Sequence, residues 1–134
     1  MPAGDLRHGL WHTGYLYVPP ACDGAAALPC RLHVVLHGCN QSAEAFQGAL
    51  FPRSIGVNEW ADANRILVLY PQARALSVGD FSPPDLRDRH EINLEGCWNW
   101  WGYGYEDRTY LFKEGVQIAA IWAMVQRMAG RSNQ

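Results

Sequence analysis

The run Leu32-His33-Val34-Val35-Leu36-His37-Gly38-Cys39-Asn40-Gln41 holds the residues best placed for chemistry. In it an apolar, β-branched stretch ends at His-Gly and passes into a polar loop. A strand that stops this way can turn backbone N–H groups outward, and a glycine lets that backbone come close to a ligand. Such N–H groups serve to stabilise the oxyanion that forms when a carbonyl is attacked. The complementary part of that chemistry, a Gly-x-Ser-x-Gly turn presenting a nucleophile, does not occur within these 134 residues. Ser42 and Ser54 have no such turn around them and are not candidate nucleophiles.

Other residues with chemical potential each have a plainer reading. His37 stands beside the oxyanion glycine, so its expected part, with Gly38, is structural: ordering the loop through hydrogen bonds rather than acting as a base. His33 sits inside the strand and is expected to be a packed core imidazole. His8 and His12 have i, i+4 spacing, but Gly9 interrupts and no third ligand follows, so a solvated arm is expected and no metal. Trp98, Trp100, Trp101, Tyr103 and Tyr105 form an aromatic group punctuated by Gly102 and Gly104, which suggests a loop. Trp98 reads as core and Trp100 as a substrate wall, with Trp101 open between the two. Asp85, Asp88, Glu91 and Glu95 read as a solvated loop face.

Composition bounds the partners. The chain has 49% hydrophobic residues and a formal net charge of -2, enough for one core and without an electrostatic footprint for nucleic acid or an anionic membrane. No stretch approaches the roughly 18 to 20 apolar residues of a membrane span. The opening residues lack the apolar segment of a signal peptide. The 4 cysteines nevertheless suit an oxidising compartment, extracellular or periplasmic. Two disulfides have three connectivities, of which spacing favours a local Cys22–Cys30 staple and a long-range Cys39–Cys97 bridge. Four buried thiols are the alternative.

The elements that must position these residues follow from periodicity. Thr13 to Val18 alternates and is rich in aromatic and β-branched types, a strand closed by Pro19-Pro20. Arg31 to Leu36 is a second strand, apolar enough to be covered on both faces. A short helix over Asn58 to Asn64, capped near Asn58, leads to a third buried strand, Ile66 to Tyr70. Strand, helix, strand predicts a parallel pair. Gln72 to Glu95 reads as a long loop. A final helix spans about Leu111 to Met128, with Ile118, Ile121, Trp122, Val125 and Met128 on one apolar face, and Ala129-Gly130 ends it. The expected organisation is an N-terminal arm (1–12), one domain (13–130) and a polar tail (131–134).

In combination, Tyr15-Leu16-Tyr17-Val18-Pro19, Leu36-His37-Gly38-Cys39-Asn40-Gln41-Ser42, Asn58-Glu59-Trp60-Ala61-Asp62, Leu69-Tyr70-Pro71-Gln72-Ala73 and Gly96-Cys97-Trp98-Asn99-Trp100-Trp101 resemble poly(3-hydroxybutyrate) depolymerases. These are secreted serine esterases of the α/β-hydrolase fold. The resemblance runs from about residue 13 to 129. It implies a partial α/β-hydrolase sheet of mostly parallel strands with flanking helices, incomplete without the nucleophile-bearing half. It also implies correspondence to the C-terminal portion of circularly permuted members, the polar tail favouring this over the opening half of an unpermuted relative.

Residue by residue, the resemblance assigns the Cys39 backbone N–H to the oxyanion hole. It gives Trp100 to the substrate cleft, where Trp101 is the second candidate, and it pairs Cys39 with Cys97. It implies no cofactor, a polyester or oligoester substrate for the complete enzyme, and the missing nucleophile-bearing segment as partner. The chain alone lacks the Ser-Asp-His triad. The competing reading is a non-catalytic polymer- or glycan-binding module, or a truncated pseudoenzyme, that uses the Trp/Tyr loop as its platform.

Overall fold

The computed structural model describes residues 8–24, 29–45, 48–77, 92–103 and 108–131. Its centre is Ile66–Tyr70 (β3), an apolar Ile-Leu-Val-Leu-Tyr run that, among the described residues, is the one strand with hydrogen-bonded neighbours on both sides. Tyr15–Tyr17 (β1) pairs with it antiparallel, Tyr15 opposite Tyr70, and Arg31–Val34 (β2) pairs with it parallel, His33 opposite Val68. The predicted parallel β2–β3 pair is present. The sheet order is β1-β3-β2, so the small sheet is mixed rather than mostly parallel, because β1 runs against β3.

Between β2 and β3 the described residues form two α-helices, Leu50–Ser54 (α1) and Val57–Asn64 (α2). Gly56, at φ 74°, enters α2, and Arg65, at φ 54°, ends it by donating its N–H to Ala61 and Asp62 carbonyls. Asn58 is therefore not the cap the sequence suggested. Its side chain instead donates to the Pro52 carbonyl and accepts the Tyr70 hydroxyl at 2.7 Å, tying both helices to the strand. Ala61, Ile66, Val68 and Tyr70 make one buried cluster, with Tyr15, Tyr17, Val35, Phe51 and Val57 packed on it, and Leu76 and Tyr103 make a second. Burial of these apolar side chains is the main favourable term for so small a sheet.

Val116–Arg131 (α3) lies over β2. It begins later than expected, after the turns at 108–115, and runs through Ala129-Gly130 instead of stopping there. Its buried residues are Gln117 and Ala120, while the apolar stripe is only partly covered: Ile118 and Trp122 are exposed, and Ile121, Val125 and Met128 are half-buried. The same shortfall marks β2, which alternates exposed and half-buried residues rather than being covered on both faces. His33 is exposed and not a core imidazole. The physical reason is position: β2 is the sheet's edge, with a hydrogen-bonded neighbour only at β3 among the described residues.

Residues 8–11 are built in. Leu10 is buried and bridges Ala73, and Trp11 N–H donates to the Gln72 carbonyl. Gly9, at φ 60°, returns the chain so closely past Tyr103 that a Cβ would stand 2.6 Å from its ring. No described helix is long and apolar enough to cross a membrane.

Candidate active site

The site grows from the exit of β2. Beyond Val35, whose N–H still donates to Leu69, the chain leaves the sheet and His37 turns inward to near-complete burial. The ring packs against Trp98 at 5.0 Å between centroids and edge-on to Phe51 at 6.2 Å. Its Nε2 accepts the Ala73 N–H at 3.0 Å and its Nδ1 meets the Gly38 carbonyl at 2.6 Å. Burial lowers the imidazole pKa from its ordinary 6.5, and the Gly38 bond only partly opposes this. His37 is thus buried, bonded to the Gly38 carbonyl and the Ala73 N–H and packed on Trp98 and Phe51.

The amides that follow are almost all spoken for. Gly38 N–H donates to Gln41 Oε1 at 2.8 Å, Asn40 N–H to the Glu95 carbonyl at 2.7 Å and Gln41 N–H to the Gly38 carbonyl at 3.2 Å. Among the described residues, no acceptor meets the Cys39 N–H. Cys39 itself is exposed. Asn40 takes the left-handed conformation, φ 58°, that asparagine tolerates best after glycine, and this sharp turn sets the loop's bend. A Cβ at Gly38 would stand 2.9 Å from Gln41 Oε1, so any side chain there displaces the group that caps its N–H.

The opposite wall comes from 92–103. Both disulfides favoured by the spacing are formed: Cys22–Cys30, and Cys39–Cys97 with Cα atoms 4.3 Å apart. Cys97 is held by the side chains of Asn93 and Tyr103 rather than by secondary structure. Its N–H donates to Asn93 Oδ1 at 2.9 Å, and its carbonyl accepts Asn93 Nδ2 at 2.9 Å and the Tyr103 hydroxyl at 2.8 Å. Asn99 accepts the N–H groups of Gly102 and Tyr103, which curls the tryptophan loop. Gln117 reaches in from α3, donating to Tyr103 Oη and the His8 carbonyl while accepting the Asn99 N–H at 2.7 Å. Tyr103 is fully buried, and burial pushes its hydroxyl up to about 12 although bonds from Gln117 and Asn93 lower it.

Between these walls lies an open cleft of about 580 Å³, lined by the Cys39–Cys97 disulfide, 92–95, Trp100 and Trp101. Three residues singled out in the sequence, Cys39, Trp100 and Trp101, therefore meet at one surface. Trp100 is 69% exposed, while Trp101 is half-buried between Trp100 and Tyr103 at 5.2 and 4.9 Å. Trp98 is not among the residues lining the cleft, and its Nε1 donates to the His37 carbonyl at 2.6 Å. Cys39, Cys97 and Glu95 bring their ligand atoms within 4.8 Å of one another. With both sulfurs joined in one disulfide, neither is a thiolate, so the trio lacks metal-ligand chemistry.

The remaining candidates stand elsewhere. Ser42 is buried and Ser54 ends α1. His12 is exposed, but His8 is half-buried with its Nδ1 accepting the Leu10 N–H, so it is no solvated side chain. Asp85, Asp88, Glu91 and Tyr105 lie outside the described residues. Asn93, Asn99 and Gln117 were not singled out in the sequence. The one hint was a pair of asparagines bracketing Cys97, since such side chains favour turns over helices and strands.

No family model matches the chain. It is 40% identical over 123 residues to a poly(3-hydroxybutyrate) depolymerase of Delftia acidovorans and 38% identical over 122 residues to a polyhydroxybutyrate depolymerase of Talaromyces funiculosus. These matches take in 92% and 90% of the chain but only 21% and 34% of the relatives. The crystal structure of PHB depolymerase from Penicillium funiculosum superposes with a TM-score of 0.69 at 37% identity, over 88% of this chain and 35% of that one. A PHB depolymerase complexed with an R3HB trimer superposes at 0.67. Over some nine-tenths of its length the chain is therefore a homologue, in sequence and in fold, of one segment of the poly(3-hydroxybutyrate) depolymerases.

Proposed function

We propose that this chain forms the oxyanion-hole and substrate-cleft portion of a secreted serine ester hydrolase acting on hydroxyalkanoate polyesters or their oligomers. One observation carries the reading: in a loop whose neighbouring amides are bonded, the Cys39 N–H is without an acceptor among the described residues, beside a cleft walled by Trp100 and Trp101. In the complete enzyme a serine, from outside these residues, adds to the ester carbonyl as its proton passes to a histidine. The Cys39 N–H then donates to the oxygen that gains the electron pair. Collapse expels the alcohol end of the polymer, which takes that proton, and water releases the hydroxy acid by the same steps. Trp100 and Trp101 offer apolar faces to the methyl-bearing chain of the substrate. Two disulfides support an oxidising compartment.

The N–H can be removed without confusing its loss with that of the disulfide. The chain replaces its matching segment in the Talaromyces relative, and two double variants are compared, Cys39→Ala/Cys97→Ala and Cys39→Pro/Cys97→Ala. Both lack the bridge, but only proline lacks the amide proton. Loss of one oxyanion donor lowers kcat about 10²- to 10³-fold, so the proline variant is expected to fall that far below the alanine one. Equal rates would remove Cys39 from the oxyanion hole. The exposed Trp100 favours a second reading, a platform that binds polymer without cleaving it, which predicts film binding by every variant and hydrolysis by none.

A further inference from the structure

The oxyanion loop is gripped at one carbonyl. Gly38 O faces two groups, His37 Nδ1 at 2.6 Å and the Gln41 N–H at 3.2 Å. The imidazole can do this in one neutral form only. Its Nε2 stands 3.0 Å from the Ala73 nitrogen, and a backbone N–H can only donate. Nε2 is therefore a bare acceptor and the ring proton sits on Nδ1, aimed at the Gly38 oxygen. Burial between Trp98 and Phe51 disfavours the charged ring and keeps this form.

A peptide unit is planar and trans, so its C=O and N–H point in opposite directions. Gly38 O and the Cys39 N–H are the two ends of one such unit. Drawing the oxygen down onto a buried ring sends the Cys39 N–H the other way, out of the loop. We propose that His37 is a positioning residue: its Nδ1–H, acting through the Gly38 carbonyl, fixes the direction of the Cys39 N–H toward the cleft. The ring is in turn anchored on the far side by Ala73, three residues past β3, so the donor's direction is referred to the most buried strand. This rests on the reading of the Cys39 N–H as the oxyanion donor.

The two ring nitrogens can be separated by substitution. An asparagine amide reaches where Nδ1 stands and a glutamine amide where Nε2 stands. His37→Asn keeps a donor for Gly38 O and loses the acceptor for Ala73, and His37→Gln does the reverse. Residual dipolar couplings of the ¹⁵N-labelled chain report the Cys39 N–H direction. We expect a coupling in His37→Asn close to that of the unsubstituted chain. In His37→Gln it should collapse toward zero while those of Val68 and Tyr70 persist. A Cys39 coupling unchanged in His37→Gln, or lost alike in both variants as for simple loop packing, would overturn the inference. Ring ¹⁵N signals of the unsubstituted chain give a test that no variant's folding can obscure: a proton on Nε2 instead of Nδ1 refutes it. The oxyanion reading stands or falls separately, on the proline and alanine comparison at Cys39.

Discussion

Trp98 Nε1 donates to the His37 carbonyl at 2.6 Å across 61 residues of chain, alongside a disulfide that joins Cys39 to Cys97. These two ties, together with the Asn40 N–H bond to the Glu95 carbonyl, connect the His-Gly-Cys loop to the tryptophan-bearing segment. Of the two, one fixes the residue before Gly38 and the other the residue after it. The cleft between the loops is a consequence of these ties, since neither loop belongs to the sheet or to a helix.

Reduction should therefore cost both stability and the site. The Cys39–Cys97 bridge closes a separation of 58 residues, worth about 4 kcal/mol in the chain-entropy model, against about 2.5 for the separation of 8 at Cys22–Cys30. Calorimetry of Cys39→Ala/Cys97→Ala is expected to show the larger fall in Tm. A larger fall in Cys22→Ala/Cys30→Ala would mean that the long bridge joins loops already held by other contacts.

Stability should decline on the acid side because of His37. Its folded pKa lies below the unfolded 6.5. Above 6.5 both states carry a neutral ring and the full contribution is present. As pH falls below that value the unfolded chain takes up the proton first, so unfolding becomes progressively easier. Urea midpoints measured downward from pH 7 should drop more steeply for the unsubstituted chain than for His37→Gln, which has no ring to titrate. Parallel curves would exclude the effect.

Gln117 should be among the most sensitive polar positions. Replacing it by leucine leaves the His8 carbonyl and the Asn99 N–H without this partner and takes one from Tyr103, a loss of about 2 to 4 kcal/mol in denaturant. Tyr103 adds an alkaline counterpart. With its folded pKa at about 12 against 10.0 unfolded, its contribution is complete below pH 10 and lost between there and about 12. Tyr103→Phe should flatten that limb of the stability profile.

Trp100→Ala should barely move the melting temperature, because a side chain 69% exposed holds little of the core. Adsorption to a polyester film is where the loss should be seen. A Tm several degrees lower would assign Trp100 to packing instead.

The half-covered face of α3 and the edge of β2 should make the chain associate with itself. Ile118 at 40% exposure and Trp122 at 58% share one helix face, and Leu36 stands 49% exposed just beyond the strand. Light scattering at tens of micromolar is expected to give a mass above 15 kDa, with Trp122→Glu shifting it back toward the monomer. A clean monomer that unfolds cooperatively would show that the surface is tolerated as it stands.

What the sequence determined by itself was local or covalent. The apolar run at Ile66–Tyr70, the parallel partner at β2 and the His-Gly-Cys loop follow from periodicity and turn chemistry, while spacing favoured the disulfide pairing that formed without excluding the alternatives. The tertiary structure alone decided burial and hydrogen-bond partnership. Residue pattern marked the Ile118 and Trp122 face of α3 as apolar, but its cover depends on neighbours that β2, at the sheet edge, does not have. His33 looked like core and is exposed for the same reason. The tautomer of His37 depends on an Ala73 N–H that is 36 residues away, and the hold on Cys97 depends on Tyr103 and, through it, Gln117. Periodicity carries no record of such pairings, because a side chain's donors and acceptors are matched by whatever the fold brings beside it.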